Sequence, residues 1–550
     1  MKDLKTWNLP FKPNEKYTTK VAYFCMEFAI DQSLKIYSGG LGFLAGSHMR
    51  SAYELKQNLI GVGILWKYGY YDQVRNEDQT LRVQFTEKHY SFLEETGHLI
   101  PVTIKNNRQV FVKVYLLKGE TFGTAPIYLL STDIPENDHL SQTITHRLYD
   151  NNPATRVAQS IVLGIGGAKL MQELGGADIY HMNEGHALPL VFYLYEKLKN
   201  WEDVRKKVVF TTHTPEKAGN EEHYAPFLNE MGFFKNTLTQ EQLEEVTHYE
   251  ASLNYTVTAL RNAKLANGVS KLHGEVSRKM WSDQEGICEI ISITNSQNKS
   301  YWGDKELSQH FEKGNNKAFI NRKKAMKTAL FQIVADQCGK LFDPDILTIV
   351  WARRFAAYKR PDLLLRNNSR FKKLVNRTDQ KVQIIWAGKP YPLDNYAINT
   401  FNHLVSYTRD LPNCAVLTGY ELHLSRLLKY GADVWLNTPR RPREASGTSG
   451  MTASMNAAVN FSIFDGWICE FTQHGKNGFI IPPVDETLPE EEQDWTDCQN
   501  MYQILEDEII PIYYNEPQKW LAITKQSMQD VAEFESSRMA DEYYEKLYNF

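Results

Sequence analysis

The sequence predicts a mixed α/β protein with two parallel β-sheets, each covered by helices. Two series of short apolar runs support this prediction, and most runs are rich in β-branched or aromatic residues and are followed closely by Gly, Pro, Asn or Thr. They include Val21–Phe24, Leu59–Trp66 and Val208–Thr211 in the first half, and Ile346–Trp351, Val382–Trp386, Ala415–Leu417 and Ala432–Leu436 in the second. Segments with helical spacing, such as Ala158–Leu174 and Asn321–Gln337, lie between the runs. Because strands that alternate with helices favour buried parallel sheets, two such series predict two Rossmann-like, doubly wound lobes.

The composition excludes several function classes. The chain has 550 residues, of which 42% are hydrophobic and 23% are charged, as in ordinary globular proteins. A net charge of −4 gives no overall field that would attract nucleic acid or an anionic membrane. The N-terminal segment has no apolar core typical of a signal peptide, and no apolar run approaches the ~20 residues that cross a bilayer.

Cysteine usage points to a reducing compartment. The six cysteines lie far apart without a CxxC pair, at Cys25, Cys288, Cys338, Cys414, Cys469 and Cys498. This spacing fits reduced thiols better than a disulfide framework or a zinc site. We therefore expect a cytoplasmic protein that uses no metal and binds neither nucleic acid nor a membrane.

The segment WARRFAAYKRP, Trp351–Pro361, is the strongest local signal for an anion site. It places Arg353, Arg354, Lys359 and Arg360 within eight residues, directly after a predicted strand. In open α/β sheets, ligands bind beyond the carboxyl ends of the strands. Clustered cations at such a corner can hold a phosphate, although a solvated basic surface would also explain the pattern.

A second candidate segment, RPREASGTSGMTASMN, spans Arg441–Asn456. Its small residues allow the backbone to approach a ligand closely. Thr448 and Ser449 could hold phosphate, and Glu444 could accept hydrogen bonds from sugar hydroxyls. A loop of this composition is weak support when taken alone, because many such loops are plain turns.

Three shorter segments add polar groups in the first half of the chain. YSGGLGFLAG offers the backbone N–H groups of Gly39, Gly40 and Gly42 to an anion or a sugar. HMNEGHALP and FTTHTPEKAGNE supply histidines and acids after apolar runs. The spacing of His181 and His186 does not match the zinc-protease pattern, so a metal is disfavoured.

Together these segments resemble the α-glucan phosphorylases, specifically the short bacterial type. The resemblance covers nearly the whole chain, and the motifs occur in the family's order: YSGGLGFLAG, HMNEGHA, FTTHTP, NGVSKLHGEVSRKMW, WARRFAAYKRP, WAGKPYP, EASGTSGM and DGW. It implies a GT-B type glycosyltransferase fold with two Rossmann-like lobes and an active site in the cleft between them. The implied domains are residues 1–297 on the glucan side, 298–530 on the phosphate or donor side, and a C-terminal helix, 531–550, that crosses back to the first lobe.

The resemblance also implies an activity and partners. Members of the family catalyse reversible, retaining transfer of glucose between the end of an α-1,4-glucan and phosphate, which gives glucose 1-phosphate. An α-glucan or another carbohydrate acceptor, together with phosphate or a sugar phosphate, would therefore be the ligands. Family members are often homodimers.

Roles for individual residues follow from their positions in the matching motifs. The resemblance implies phosphate binding by Arg353, Arg354, Lys359, Gly39, Gly40, Gly42, Thr448 and Ser449. It implies sugar binding by Asn295, Glu444, Ser446, Gly447 and His186. It implies catalytic roles for His213, whose backbone carbonyl would lie by the anomeric carbon, and for Arg354, Lys359 and Glu444.

The sequence departs from the family pattern at the cofactor position. The residue after the Met of EASGTSGM is a lysine in the family, where it forms an imine with pyridoxal phosphate, but it is Thr452 here. A hydroxyl cannot form an imine, so covalent attachment at this position is excluded, whereas non-covalent binding of the cofactor stays open. The segment ITNSQNKSYW, Ile293–Trp302, also departs from the family's Gly-Val-His after Asn295.

Three functions remain open from the sequence. The first is a phosphorylase, impaired or with a non-covalent cofactor. The second is a cofactor-free glycosyltransferase that uses a sugar nucleotide, whose diphosphate would contact Arg354 and Lys359. The third is a non-catalytic glucan-binding relative.

Overall fold

The structure is a computed structural model that describes residues 6–235, 238–246 and 251–549. The chain forms two compact units. Unit 1 comprises the chain up to Tyr70, Phe85–Asn295 and the segment from Ser536 onward, and unit 2 comprises Tyr71–Gln84 and Ser296–Glu535. The domains expected from the sequence are 1–297, 298–530 and 531–550, and the first of these contains Tyr71–Gln84, which belongs to unit 2.

The strands, in chain order, are β1 Val21–Phe24, β2 Leu59–Ile64, β3 Asp72–Arg75, β4 Leu81–Gln84, β5 Glu94–Ile104, β6 Arg108–Leu117, β7 Ile127–Ser131, β8 Ile179–Asn183, β9 Val208–Thr211, β10 Glu222–Tyr224, β11 Ser252–Asn254, β12 Leu265–Gly268, β13 Ile290–Ser292, β14 Leu347–Ala352, β15 Val382–Ala387, β16 Cys414–Leu417, β17 Val434–Asn437, β18 Val459–Ile463 and β19 Gly478–Ile481.

The helices are α1 Gly40–Glu54, α2 Gly119–Phe122, α3 His139–Gln142, α4 Pro153–Ile161, α5 Gly167–Glu173, α6 Pro189–Leu198, α7 Trp201–Arg205, α8 Ala225–Met231, α9 Gln240–Val246, α10 Tyr255–Asn262, α11 Lys271–Met280, α12 Lys299–Trp302, α13 Lys305–Glu312, α14 Asn316–Cys338, α15 Asn368–Val375, α16 Asn395–Thr408, α17 Leu422–Gly431, α18 Ser449–Ser454, α19 Ile468–Phe471, α20 Glu490–Ile504, α21 Ile510–Asn515, α22 Pro517–Asp530 and α23 Ser536–Tyr543. Short 3₁₀ and π-helical segments join several of them; one π-helical segment, Val162–Gly166, connects α4 to α5.

Unit 1 is built on a mixed sheet whose central strands are parallel. Its order is β13-β12-β9-β8-β1-β2-β7-β6-β5, and only the pairs β7–β6 and β6–β5 are antiparallel. Numbered along the chain, the parallel strands read 3-2-1-4-5-6-7 across the sheet, which is the doubly wound order with one further strand. The order therefore reverses between β1 and β8.

The C-terminal segment of the chain packs within unit 1. Helix α23 lies against α1, where the hydroxyls of Ser51 and Ser536 are 2.6 Å apart and the Gln57 side-chain amide donates to the Ala540 carbonyl at 3.0 Å. The hydroxyl of Tyr548 lies 2.7 Å from Nδ1 of the buried His181. These contacts join the C-terminus to β8, one of the two strands at the reversal point.

Unit 2 contains a six-stranded sheet in which every pair is parallel. The order β16-β15-β14-β17-β18-β19 reads 3-2-1-4-5-6, as in dinucleotide-binding folds, and reverses between β14 and β17. Trp351 and Trp386 belong to one buried apolar cluster, whereas their neighbours Val350 and Ile385 belong to another. Both faces of this sheet are therefore covered, which confirms the prediction of buried parallel strands.

Local sequence signals explain several element boundaries. Asn152 caps α4 by accepting hydrogen bonds from the N–H groups of Ala154 and Thr155, and Pro153 occupies the first helical position. Each apolar run named in the sequence analysis contains or overlaps a strand. Several strands begin or end one or two residues away from the ends of the corresponding run. No helix in the described ranges has both the length and the apolar character needed to span a bilayer.

The acidic composition of Asp485–Asp497 predicts a solvated surface loop. This prediction is wrong for the second half of the stretch, which lies in α20. Asp494 is 3% exposed and Asp497 is 2% exposed. These two carboxylates pair with the buried Arg360 and Arg440 of unit 2.

Candidate functional site

The candidate site of unit 2 begins where the strand order reverses. The segment Arg353–Lys359 follows β14, and Asn437 ends the neighbouring β17. This is the point at which open α/β sheets bind ligands. The strands are buried throughout, so they place the side chains that follow them on a rigid edge.

Arg353 occupies the centre of this edge. It is only 5% exposed, and its guanidinium donates to Glu444 at 3.0 Å, to the Asn437 side chain and, at 3.4 Å, to the Ser449 hydroxyl. Among the described residues its Nε has no hydrogen-bond partner although the atom is buried. The same holds for Nε of Arg75, Arg377, Arg426 and Arg441, so this atom does not by itself identify a ligand site.

Lys359 and Arg353 share one carboxylate. The Lys359 ammonium donates to both oxygens of Glu444, at 2.7 and 3.0 Å, and the three side chains are at most 12% exposed. Burial alone would raise the pKa of Glu444, but Lys359 and Arg353 hold that pKa below its usual value. The carboxylate is therefore ionised and neutralises one of the two buried cations.

Asp465 fixes the loop that carries Glu444. Its two oxygens accept the backbone N–H groups of Glu444 and Gly466, at 2.9 and 2.8 Å. Burial raises the pKa of Asp465 to about 7. At Gly466, with φ 56°, an added Cβ would lie 2.5 Å from the Ser446 carbonyl, so this turn requires glycine. Asp465 belongs to the DGW motif, but the sequence analysis assigned no role to its carboxyl. Its position two residues beyond β18 could have indicated one, because side chains that follow a parallel strand lie at the ligand-binding edge of the sheet.

The four basic residues of WARRFAAYKRP do not form one cluster. Arg354 is exposed, and its charge also helps to lower the pKa of Glu444. Arg360 is 2% exposed and pairs with Asp494 at 2.9 Å and Asp497 at 2.7 Å. The expectation of four cations around one anion is therefore corrected to three, because Arg360 is an internal ion-pair residue.

The loop from Glu444 to α18 brings the remaining predicted residues of unit 2 together. Ser446 is buried and its hydroxyl has no hydrogen-bond partner among the described residues, while Gly447 has φ 91°, which favours glycine. Thr448 and Ser449 stand at the start of α18. Thr452 is 1% exposed and its hydroxyl donates to the Ser449 carbonyl at 2.9 Å, so its side chain is engaged within its own helix.

In unit 1 the glycine segment surrounds an internal carboxylate. Glu27 follows β1 and accepts the N–H groups of Ser38 and Gly39, at 2.6 and 3.1 Å, and the Tyr149 hydroxyl at 2.7 Å. A Cβ on Gly42 would lie 2.7 Å from this carboxylate. Gly40 begins α1. The N–H of Gly39 thus already has an anionic partner, which sequence reasoning missed even though Glu27 directly follows an apolar run.

His213 lies two residues beyond β9, next to the end of β8. Its Nε2 is 2.7 Å from the Asn183 side-chain oxygen, and its backbone N–H donates to Glu184. Burial lowers the pKa of His213 to about 3, so the imidazole is neutral at physiological pH. The neutral imidazole, and a backbone whose N–H is already bound by Glu184, suit contact with an uncharged sugar.

His186 and Asn295 complete the predicted residues of unit 1. His186 lies near His213, and burial lowers its pKa to about 4. Asn295 is 3% exposed and lies beyond β13, the edge strand of the sheet. Among the described residues, neither Nδ1 of His186 nor Oδ1 of Asn295 has a hydrogen-bond partner, although both atoms are buried.

Within the described ranges, no group of three or more His, Cys, Asp or Glu side chains could hold a metal ion. The sites of both units instead consist of cations, carboxylates, neutral histidines and small residues. Such a set suits a phosphate and sugar hydroxyls.

Comparison with known proteins identifies a family. The carbohydrate phosphorylase family matches residues 293–482, a range that contains Arg353, Lys359 and Glu444. The chain is 49% identical to an uncharacterized protein of Methanocaldococcus jannaschii, over 96% of this chain and 99% of that protein. It is 33% identical to the maltodextrin phosphorylase of Thermococcus litoralis, over 97% of this chain and 71% of that protein, and 32% identical to the glycogen phosphorylase of Aquifex aeolicus, over 98% and 87%. The chain therefore belongs to the carbohydrate phosphorylase family of glycosyltransferases.

Proposed function

We propose that this protein transfers glucose reversibly, with retention, between the end of an α-1,4-glucan and phosphate. The names of its relatives, maltodextrin phosphorylase and glycogen phosphorylase, support the glucan as substrate. In this proposal Arg354 and Lys359 bind the phosphate, and His213, His186 and Asn295 are sugar-binding residues.

The observation that carries the proposal is the Arg353–Glu444–Lys359 cluster. Two buried cations share one carboxylate at the reversal point of a doubly wound sheet, and exposed Arg354 is adjacent in sequence. When glucose 1-phosphate donates its glucosyl group in the reverse direction, the departing phosphate gains negative charge, and preorganised cations stabilise such charge. Arg354 and Lys359 would hold the substrate phosphate while Glu444 accepts hydrogen bonds from the sugar.

We further propose that no pyridoxal phosphate is attached covalently. Position 452 follows the motif EASGTSGM and carries a threonine whose hydroxyl already donates within α18. The residues at this position therefore do not fit a cofactor held through an imine. The buried Nε of Arg353 and the buried hydroxyl of Ser446 could each form a hydrogen bond with a phosphate, whether it belongs to a substrate or to a non-covalent cofactor.

A sugar nucleotide is the second candidate donor. The observation that favours it is the combination of Thr452 with the retained cations, because a diphosphate could contact Arg354 and Lys359 without any cofactor. A non-catalytic glucan-binding role remains the third candidate, but it gives no reason for two buried cations beside one carboxylate.

Phosphorolysis is the experiment that separates these candidates. Purified protein is incubated with maltodextrin and phosphate, with and without pyridoxal phosphate, and assayed for glucose 1-phosphate. Cofactor-independent product supports the proposal in full, and cofactor-dependent product supports a phosphorylase with a non-covalent cofactor. Absence of product in both conditions rejects phosphorolysis, and sugar nucleotides are then offered as donors.

A variant at position 452 tests the cofactor site separately. Thr452→Lys is incubated with pyridoxal phosphate and treated with borohydride, and the peptide that contains position 452 is examined by mass spectrometry. A labelled peptide means that the surroundings still accommodate the cofactor. An unlabelled peptide in a folded variant means that they do not. Wild-type protein treated in the same way is the control.

A further inference from the structure

Glu184 adopts a backbone conformation that side chains other than glycine rarely tolerate. It connects β8 to the 3₁₀ turn Gly185–Ala187 with φ 72° and ψ 168°. Other non-glycine residues with positive φ, such as Lys199 with ψ 21° and Arg360 with ψ 62°, lie in the left-handed helical region, which is less restrictive. The region that Glu184 occupies is essentially restricted to glycine, so the residue is strained.

The side chain of Glu184 holds the backbone of His213. Its Oε1 accepts the His213 N–H and, at 3.2 Å, the Thr214 hydroxyl. The Glu184 N–H donates to the Thr211 carbonyl at 2.9 Å. Because Asn183 contacts the His213 ring at 2.7 Å, two consecutive residues at the end of β8 fix both the ring and the backbone of His213.

Both features of Glu184 reduce the stability of the fold. Glycine at this position would relieve the strain, and burial raises the pKa of the Glu184 carboxyl to about 7, which shows that its charged form is disfavoured there. Strained residues and unfavourably buried acids concentrate at functional sites, where the surrounding structure is used to hold them. The hydrogen bond from the His213 N–H to the Glu184 carboxyl is the functional contact that we relate to this loss of stability.

We propose that Glu184 is a positioning residue that fixes the backbone of His213 for contact with the bound glucosyl group. This inference rests on the proposed function, in which His213 contacts the sugar. Glu184 acts through His213 and does not itself need to contact the substrate. A glutamine at this position keeps an oxygen that can accept the His213 N–H, whereas alanine and glycine do not.

Three variants separate positioning from a purely structural role. In Glu184→Ala the carboxyl is lost but the backbone strain remains, in Glu184→Gly both are lost, and in Glu184→Gln the acceptor is kept. We expect Glu184→Gly to melt at a higher temperature than Glu184→Ala. We nevertheless expect kcat/KM to fall about 10²-fold in both, because a misplaced contact of about 1 Å can cost that much. Glu184→Gln should stay within about tenfold of wild type, since it retains the acceptor.

The matched control is Lys199→Gly. Lys199 is an exposed residue of unit 1 with φ 55° at the end of α6, so glycine there also relieves a left-handed backbone. It should raise the melting temperature without changing kcat/KM. Wild-type kcat/KM in Glu184→Gly would overturn the proposal, because His213 would then be positioned without the carboxyl.

The test remains decisive if phosphorolysis itself is absent. Affinity for maltodextrin, measured by calorimetry, then replaces kcat/KM. A wild-type protein that binds maltodextrin and a Glu184→Gly variant that does not would support positioning while rejecting the proposed reaction. Equal affinity in both, or no binding to wild type, would overturn the inference.

Discussion

The Lys359 ammonium lies 2.7 Å from one oxygen of Glu444 and 3.0 Å from the other, so it contacts both atoms of the carboxylate. Arg353 donates to Oε2 of the same carboxylate at 3.0 Å. Arg353 and Lys359 are 5% and 9% exposed. The Glu444 carboxylate thus occupies the position beside these two cations at which an anionic ligand would bind. Ligand phosphate must compete with Glu444 for these donors.

Removal of the Lys359 amine is expected to abolish most of the transfer activity. In Lys359→Met the attacking phosphate loses one preorganised positive charge, and loss of such a group typically costs about 10²–10³-fold in kcat. The rate of glucose 1-phosphate release from maltodextrin measures the loss. Lys372→Met, at an exposed lysine of α15, is the control and should match wild type. An active Lys359→Met would exclude a role for this amine in binding the phosphate.

Neutralisation of Glu444 is expected to strengthen phosphate binding. In Glu444→Gln the competing charge is gone, and each charge-assisted hydrogen bond that Arg353 and Lys359 can then give to phosphate contributes about 1.5–3 kcal/mol, or roughly tenfold or more in affinity. Calorimetry with inorganic phosphate alone measures the change. Glu506→Gln, which removes the carboxylate paired with Arg370 at 2.8 Å, should leave the affinity unchanged. Weaker phosphate binding in Glu444→Gln would show that the carboxylate does not compete.

Local patterns predicted several strands of each sheet but not the partners of the charged residues. Apolar runs report burial directly, and residues that follow such runs necessarily stand at the carboxyl edge of a parallel sheet, which is where Arg353 and His213 lie. The pairing of Arg360 with Asp494 joins residues separated by 134 positions, and no local pattern contains it. For the same reason the role of Glu27 could not be predicted, because its partners Ser38, Gly39 and Tyr149 come from other segments.

Arg360 and Arg354 are expected to differ sharply in their effect on stability. Arg360→Met leaves Asp494 and Asp497 buried without this cation, and breaking a buried pair typically costs about 3–5 kcal/mol. Arg354→Met changes an exposed side chain and should alter the melting temperature little. Thermal unfolding of the two variants gives the comparison. Equal melting temperatures would contradict the assignment of Arg360 to the core of unit 2.

Stability is expected to fall as the pH falls below about 6.5, because several histidines of unit 1 are buried in the neutral form. Burial lowers the pKa of His48 to about 3, and it also lowers the pKa of His181, His186, His213 and His273. Below pH 6.5 the unfolded chain takes up protons that the folded chain does not, so each such histidine destabilises the fold by about 1.4 kcal/mol per pH unit until its own folded pKa is reached.

A variant at His48 tests the contribution of a single buried histidine to this loss of stability. His48 is 1% exposed and stacks on Tyr543 with ring centroids 5.2 Å apart, so His48→Phe keeps an aromatic ring in contact while removing the titrating group. Chemical unfolding at pH 7.5, 6.0 and 5.0 should show a shallower loss of stability in the variant, by about one proton. His89→Gln, at a side chain that is 84% exposed, should keep the slope of wild type. An unchanged slope in His48→Phe would mean that His48 takes up its proton in the folded state as readily as in the unfolded chain.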